Sequence, residues 1–546
     1  VRRLAPLVLV LAAACTGRGS GVCSGEYCGT VVFAAIGQPV SLLPPVTSHR
    51  LDRDIYDQIF LKLADVGPGL NTVGDAGFEP QLADHWIWTD SLTLAFHIDP
   101  RARWQDGRPV SAGDVVFTFA AYTDSALGAD DRDNLKRIAS VTAPDSATAV
   151  FHFRERYPEM FYDAVYYLRI LPAHLLATLP VPQWRSAAFG RSPIGDGPYR
   201  LVRWTPGESL ELEADSGFFL GRPHVRRLVW RFAGDLSVAV TQVIAGEADA
   251  IEVLVSPANI ERARKAPRLV LYPYPGSVFM FVSLNLRARG GALPHPIFGD
   301  PVVRRALVSA TDRARMTRSV FGDAAKVPPA PIPEAWTALW FRDLPVPPYD
   351  TVLAARELES RGWHVGPDGV RRRGDQKLAF TLAVPSTSPP RRQYAQLIQE
   401  ELRSVGVEVT IEAVDNATLQ DRLQSGAYDA AIQAWGNDPT PSSGVPQLWS
   451  RSGGANYGHY WSPAFERWER AAVTARTPEA ALRAWRAAFG VLAEDAPAIV
   501  LCAPDNVAAI DRRVLGVRLR PDSYWAYVRD WRIAPGQLIA RDRTVR

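Results

Sequence analysis

The chain has 546 residues, enough for more than one domain, and its 47% hydrophobic and 22% charged composition is that of a folded globular protein, not a disordered or fibrous one. Its 61 basic and 58 acidic residues leave a formal charge of +3, which excludes the strongly basic surface of a nucleic-acid or polybasic membrane binder. The 44 prolines and 16 tryptophans suit a loop-rich protein with aromatic pockets.

Arg2 and Arg3 precede an apolar run, Leu4 to Ala14, that ends in Ala12-Ala13-Ala14-Cys15. A charged start, a short apolar run and small residues predict a secretory signal over residues 1–14, too short to span a bilayer. A cysteine directly after small residues is the pattern of lipoprotein processing, so Cys15 is the predicted lipid anchor, with Ala12 standing where a leucine is usual. Residues 15–29, rich in Gly and Ser, read as a tether. Cys23 and Cys28 are placed to bridge in an oxidising compartment, and no nearby histidine supports a metal there. Cys502 reads as a buried small hydrophobe.

Thr30–Ile36 predicts a first strand, and the spacing of Ile55, Ile59, Phe60 and Leu63 predicts a helix over 52–63. Leu92, Leu94, Phe96 and Ile98 alternate with polar or small residues, a strand with one buried face, which Pro100 ends. Asp106-Gly107 is a turn signal, and Ser111-Ala112-Gly113-Asp114 is a capping box opening a helix packed through Val115, Val116, Phe117 and Phe119. Gly195-Asp196-Gly197-Pro198-Tyr199 predicts a rigid turn into a strand, and no helix start follows it to hold a phosphate. Further on, 238–249 and 301–316 predict helices around the alternating apolar stretch 269–286. Asp350–Gly362 predicts a helix stopped by its glycine. Strand 377–384, helix 393–405 and strand 407–411 then give the βαβ rhythm of a second α/β domain. Asp429–Trp435 and 496–501 complete the predicted strands, and no internal repeat is present.

The order of these residues carries more than their chemistry. The run from Phe96 and Ile98 through Trp104, Asp106-Gly107, Pro109-Val110-Ser111-Ala112 and Asp114-Val115-Val116-Phe117-Thr118 resembles the signature segment of family 5 extracellular solute-binding proteins, the peptide- and nickel-binding receptors of ABC importers. Phe78–Trp86, the Gly195–Tyr199 turn, Gly246-Glu247-Ala248-Asp249, Val303-Arg304-Arg305-Ala306-Leu307 and Ala496–Leu501 resemble further landmarks of that family, in order. The resemblance implies a two-lobed α/β periplasmic-binding-protein fold of the large type. Lobe I would hold 30–58, 182–270 and 498–546, with an extra subdomain at 59–181. Lobe II would hold 271–497, with the chain crossing near 270 and 498.

No metalloprotease, P-loop or nucleophile-elbow motif is present, and the nine histidines are scattered. The reading is therefore of a protein that is not an enzyme, with neither cofactor nor metal of its own. Glu400-Glu401 are expected on a solvated helix face. The most function-like stretch is 432–441, where Trp435, Asn437 and Asp438 follow a strand in a loop stiffened by Pro439 and Pro441. By chemistry alone this reads first as an ordinary turn beside a core tryptophan. The resemblance adds a role: in peptide-binding branches a W-x-x-D step supplies the carboxylate that pairs with the ligand's α-ammonium, and Trp435 and Asp438 match it. Asn456-Tyr457 resembles a step that lines the same cleft. In the dipeptide-binding branch an arginine follows the strand at 377–384 and holds the ligand carboxylate. Here Pro385–Pro390 contains none, and arginines stand only at 391 and 392, which tilts the expectation toward longer peptides.

The expectation is thus an exported, lipid-anchored monomer at the periplasm or cell surface that captures peptides and docks on a membrane permease, without nucleic acid. The fold also serves non-peptide ligands, such as nickel or another metal chelate, haem or a sugar. A secreted hydrolase is the rival of another class, since a catalytic triad can assemble without a sequence motif.

Overall fold

The computed structural model describes residues 27–254, 256–436 and 439–543, folded around two large mixed sheets. The first, in lobe I, runs 269–274, 506–511, 250–251, 30–36, 227–233, 209–214, 199–205. The second, in lobe II, runs 325–326, 498–504, 278–284, 430–436, 379–385, 408–414. Two stretches join them. Leu269–Tyr274 belongs to the first sheet and Val278–Leu284 to the second, so one crossing lies at 275–277. Ala498–Pro504 belongs to the second and Asn506–Asp511 to the first, so the return lies at Asp505. Both crossings fall a few residues beyond the expected 270 and 498, at Pro275-Gly276-Ser277 and at Asp505, where turn-forming and polar residues interrupt the apolar runs. At the crossing the two connections touch: a Cβ on Gly276 would lie 2.4 Å from the Pro504 carbonyl oxygen, so only glycine fits.

The extra subdomain carries its own antiparallel sheet, ordered 83–90, 93–98, 148–153, 138–142. Leu94, Phe96 and Ile98 are buried as their alternation predicts. The predicted cap is present: Asp114 Oδ2 accepts from the Ser111 N–H and the Ser111 hydroxyl, both at 2.9 Å, and helix Ala112–Thr123 follows. Asp114 Oδ1 also accepts from the Ala173 N–H at 3.0 Å, so one carboxylate starts the helix and ties down a distant loop.

Two sequence landmarks prove to be one structural joint. Gln105, inside the signature turn, donates its amide N–H to Tyr199 O at 2.9 Å and its backbone N–H to Gly195 O at 2.8 Å, and accepts from the Gly195 N–H at 3.1 Å. The same glycine turn presses on residues 58–61. The Gly197 N–H reaches Ile59 O at 2.8 Å, the Tyr199 N–H reaches Gln58 O at 3.0 Å, and Asp196 Oδ1 takes the Leu61 N–H at 2.8 Å. That competition ends the predicted helix early: it spans Arg50–Tyr56, and the backbone beyond is pulled into these bonds. A Cβ at residue 195 would stand 1.9 Å from Ile59 O. Gly195→Ala should therefore cost about 1–3 kcal/mol or more of overpacking strain, read as a lower urea midpoint. An unchanged midpoint would show that this contact yields freely.

Elsewhere the predicted 301–316 helix is two, Pro301–Ser309 and Arg313–Phe321, because Asp312 caps the second by accepting from the Arg315 N–H at 2.9 Å. Glu400 is exposed as expected, but Glu401 is not solvated. It is buried, pairs with Arg315 at 2.6 Å and accepts the Asp312 N–H at that helix start. The helix carrying them begins at Pro389, not 393, with both prolines in its first turn, where their missing N–H costs nothing. Cys502 is buried with a free thiol, and Cys28 is buried and disulfide-bonded. Cys15, Cys23 and the predicted signal lie outside the described residues. Among the described residues no helix is long and apolar enough to cross a membrane.

Candidate functional site

Strand directions decide where a ligand can sit. In lobe I, 30–36 and 250–251 run parallel, and 250–251 pairs antiparallel with 506–511, the strand that enters from the crossing. Their carboxyl ends therefore point toward the crossings. In lobe II, 379–385 and 430–436 run parallel, and Gly436 pairs with Val278, the first residue after the other crossing. The carboxyl ends of both sheets thus face one crevice across the connecting strands, the usual place for a ligand in open α/β sheets.

Lobe I lines this end with a polar and aromatic cluster. Arg50 opens the helix after the first strand. Its Nε donates to Asp54 Oδ2 at 3.3 Å, its Nη2 to Pro521 O at 3.1 Å, and its guanidinium lies 3.7 Å over the Tyr524 ring. Tyr274, the last residue before the crossing, donates its hydroxyl to Glu252 O at 3.0 Å. Burial pushes the Asp54 carboxyl up to about 6 against the pull of Arg50 and Arg53, and burial pushes Glu252 up to about 7. Sequence inspection missed this cluster, because Arg50, Glu252 and Tyr524 are far apart in the chain and no local pattern links them.

The residues singled out from sequence divide. Trp435 is half-buried near the carboxyl end of its strand, opposite Phe279, and packs on the main core. Asn437 and Asp438 lie outside the described residues. Asn456 does not offer its amide to a cleft: it donates to Ser450 O at 3.0 Å and Tyr460 O at 2.8 Å and accepts the Tyr460 N–H at 3.0 Å, closing its own loop. Gly458 O takes the Leu286 N–H at 2.9 Å, and Leu284 pairs with Ala430, so this loop stands by the strand end remote from Gly436. Tyr457 is half-buried, its hydroxyl accepting from Gln420 at 2.8 Å. Of the arginines after 385, Arg392 turns back to the Ser386 carbonyl.

Beyond the crossings the lobes also touch directly. Ser442, just after the candidate loop, donates its hydroxyl to Glu159 of the subdomain at 2.6 Å, and Thr337 donates to Gly69 O at 2.8 Å. Glu159 is 2% exposed, and burial pushes its carboxyl up to about 7. Two of the nine histidines meet: His85 and His97, paired across neighbouring strands, both reach Asp84 Oδ1, at 2.6 and 2.9 Å, on an open face of the subdomain.

The profile of bacterial extracellular solute-binding proteins, family 5 Middle, matches residues 77–457. The oligopeptide-binding protein AppA of Bacillus subtilis is 23% identical over 515 residues, covering 93% of this chain and 92% of that protein. Its solved structure, in complex with a nonapeptide, superposes with a TM-score of 0.68 at 22% identity over 94% of this chain and all of its own. The peptide transport periplasmic protein SapA of Salmonella typhimurium is 24% identical over 528 residues, covering 90% of this chain and 89% of that protein. The structure of NikZ from Campylobacter jejuni in complex with Ni(L-His) has a TM-score of 0.71 at 22% identity, over 92% of this chain and 99% of that one.

Proposed function

Because the chain belongs to the family 5 bacterial extracellular solute-binding proteins, we propose that it captures peptides in the crevice between its lobes and delivers them to a membrane ABC permease. The observation that carries this reading is the crevice itself, built where the carboxyl ends of two sheets face each other across two narrow connections. A ligand held there touches both lobes only when they close, so its binding shifts the population toward the closed form, the state a permease can read. The relatives named for oligopeptide binding and peptide transport support peptides as the ligand class. The lack of an arginine in Pro385–Pro390, with Arg392 turned back on Ser386, supports oligopeptides over strict dipeptides.

In this reading Asp438 pairs with the ligand's α-ammonium, with Asn437 beside it and Trp435 as an apolar wall. The matching W-x-x-D step supports that assignment. Residues 1–14 are removed on export and Cys15 carries lipid, which holds a monomeric receptor at the membrane surface; the arginines, apolar run and small residues before Cys15 support this.

Native mass spectrometry of the protein purified from its own envelope tests the reading. Masses that dissociate as a family of peptides are the expected result. A single nickel chelate, haem or sugar would replace peptides as cargo, and release of cleaved products from an added peptide library would overturn the receptor reading altogether.

A further inference from the structure

We propose that the cavity at the carboxyl end of Thr30–Ile36 is a side-chain subsite that accepts a cationic residue of the ligand, lysine or arginine, against the carboxylates of Glu252 and Asp54. The proposal rests on the peptide reading above and adds a preference to it. The cavity has a volume of about 160 Å³ and is open to solvent on one side. Phe33, Trp230 and Trp525 form its aromatic walls, and Arg50, Asp54 and Glu252 bring its charges.

The charges do not balance. Arg50 is the cavity's one cation, and it is already engaged with Asp54 Oδ2, the Pro521 carbonyl and the Tyr524 ring. Asp54 has a side chain 5% exposed, and although Arg50 Nε stands 3.2 Å from Oδ1, that oxygen receives no hydrogen bond. No described side chain hydrogen-bonds or ion-pairs with the Glu252 carboxylate, and its neighbour Tyr274 is spent on the backbone oxygen. Arg50 and Arg53 both act on Asp54, which leaves Glu252 as the carboxylate without a side-chain partner among the described residues. A half-buried carboxylate in that position must take a proton or find a cation, and the raised Glu252 value is the first of these outcomes. An incoming ammonium or guanidinium supplies the second, with its alkyl stem along the tryptophans and its charge near their faces. The cavity opens at the crevice end of its strand, beside Tyr274 and the crossing, where a ligand spanning the lobes would pass.

The test uses a pentaalanine series in which lysine, or its uncharged counterpart norleucine, occupies each position in turn, titrated calorimetrically at about pH 8 so that Glu252 is ionised. In the wild type, lysine should bind about tenfold or more tighter than norleucine at one position. Glu252→Gln should bring that ratio to about threefold or less. Equal binding of lysine and norleucine at every position, or a lysine preference that survives Glu252→Gln, overturns the subsite and leaves the peptide reading standing. If no peptide binds, the peptide reading falls and the subsite with it. At pH 8 the melting temperature of Glu252→Gln should be no lower than wild type, since no partner is lost and a buried charge is removed; if that variant fails to fold, the wild-type lysine-to-norleucine ratio still decides.

Discussion

Replacing Arg513 by alanine should lower the unfolding free energy of lobe I by about 3–5 kcal/mol, the cost of stranding buried charge. Arg513 is 3% exposed and forms a fork on Asp249, with Nε to Oδ1 at 3.1 Å and Nη2 to Oδ2 at 3.0 Å. Its Nη1 reaches Asp542 at 2.7 Å and its Nη2 the Thr30 carbonyl at 2.6 Å. The two carboxylates in turn hold the first strand: Asp249 accepts the Val32 N–H at 2.9 Å and Asp542 the Thr30 N–H at 2.7 Å. Without the guanidinium, Asp542 loses its ion-pair partner, and Asp249 keeps only Arg541 and a more distant Arg268. Urea unfolding followed by tryptophan fluorescence measures the loss. Arg513→Lys should recover only part of it, because an ammonium cannot make the two-point fork on Asp249. A loss under about 1 kcal/mol for the alanine variant would mean that Arg268 and Arg541 carry the site.

Asp438→Ala should weaken binding of an unblocked peptide by about 2–5 kcal/mol, roughly 30- to several-thousand-fold in Kd. The reason is that a buried ammonium would lose its counter-charge in a closed crevice, where water cannot replace it. A turn aspartate exposed to solvent would cost about 1 kcal/mol or less. Calorimetry with a peptide identified by mass spectrometry separates these outcomes. N-acetylation of that peptide should penalise the wild type heavily and the variant little, since the cation is already gone. Binding by Asp438→Ala within a few-fold of wild type would remove Asp438 from the ammonium site.

Local chemistry is legible in the amino-acid sequence alone. The alternation at Leu94, Phe96 and Ile98, the Ser111–Asp114 cap and the Asp106-Gly107 turn have causes within a few residues, and the fold realises each of them. The order of such signals along the chain is enough to point to the family. What the landmarks do is not legible there. The Trp104–Gly107 turn and the Gly195–Tyr199 turn are far apart in sequence, yet Gln105 bonds one to the other, and Asp249 of the Gly-Glu-Ala-Asp step is a wholly buried ion-pair partner of Arg513. Tertiary structure also overrides local preference. Ile59 sits at helical spacing, but its carbonyl is claimed by the Gly197 N–H, and Glu401 looks solvated until Arg315 meets it. The subsite at Glu252 lies beyond sequence reasoning for the same physical reason. An unpaired carboxylate is defined by which partners fail to reach it, and that depends on where distant strands end in space.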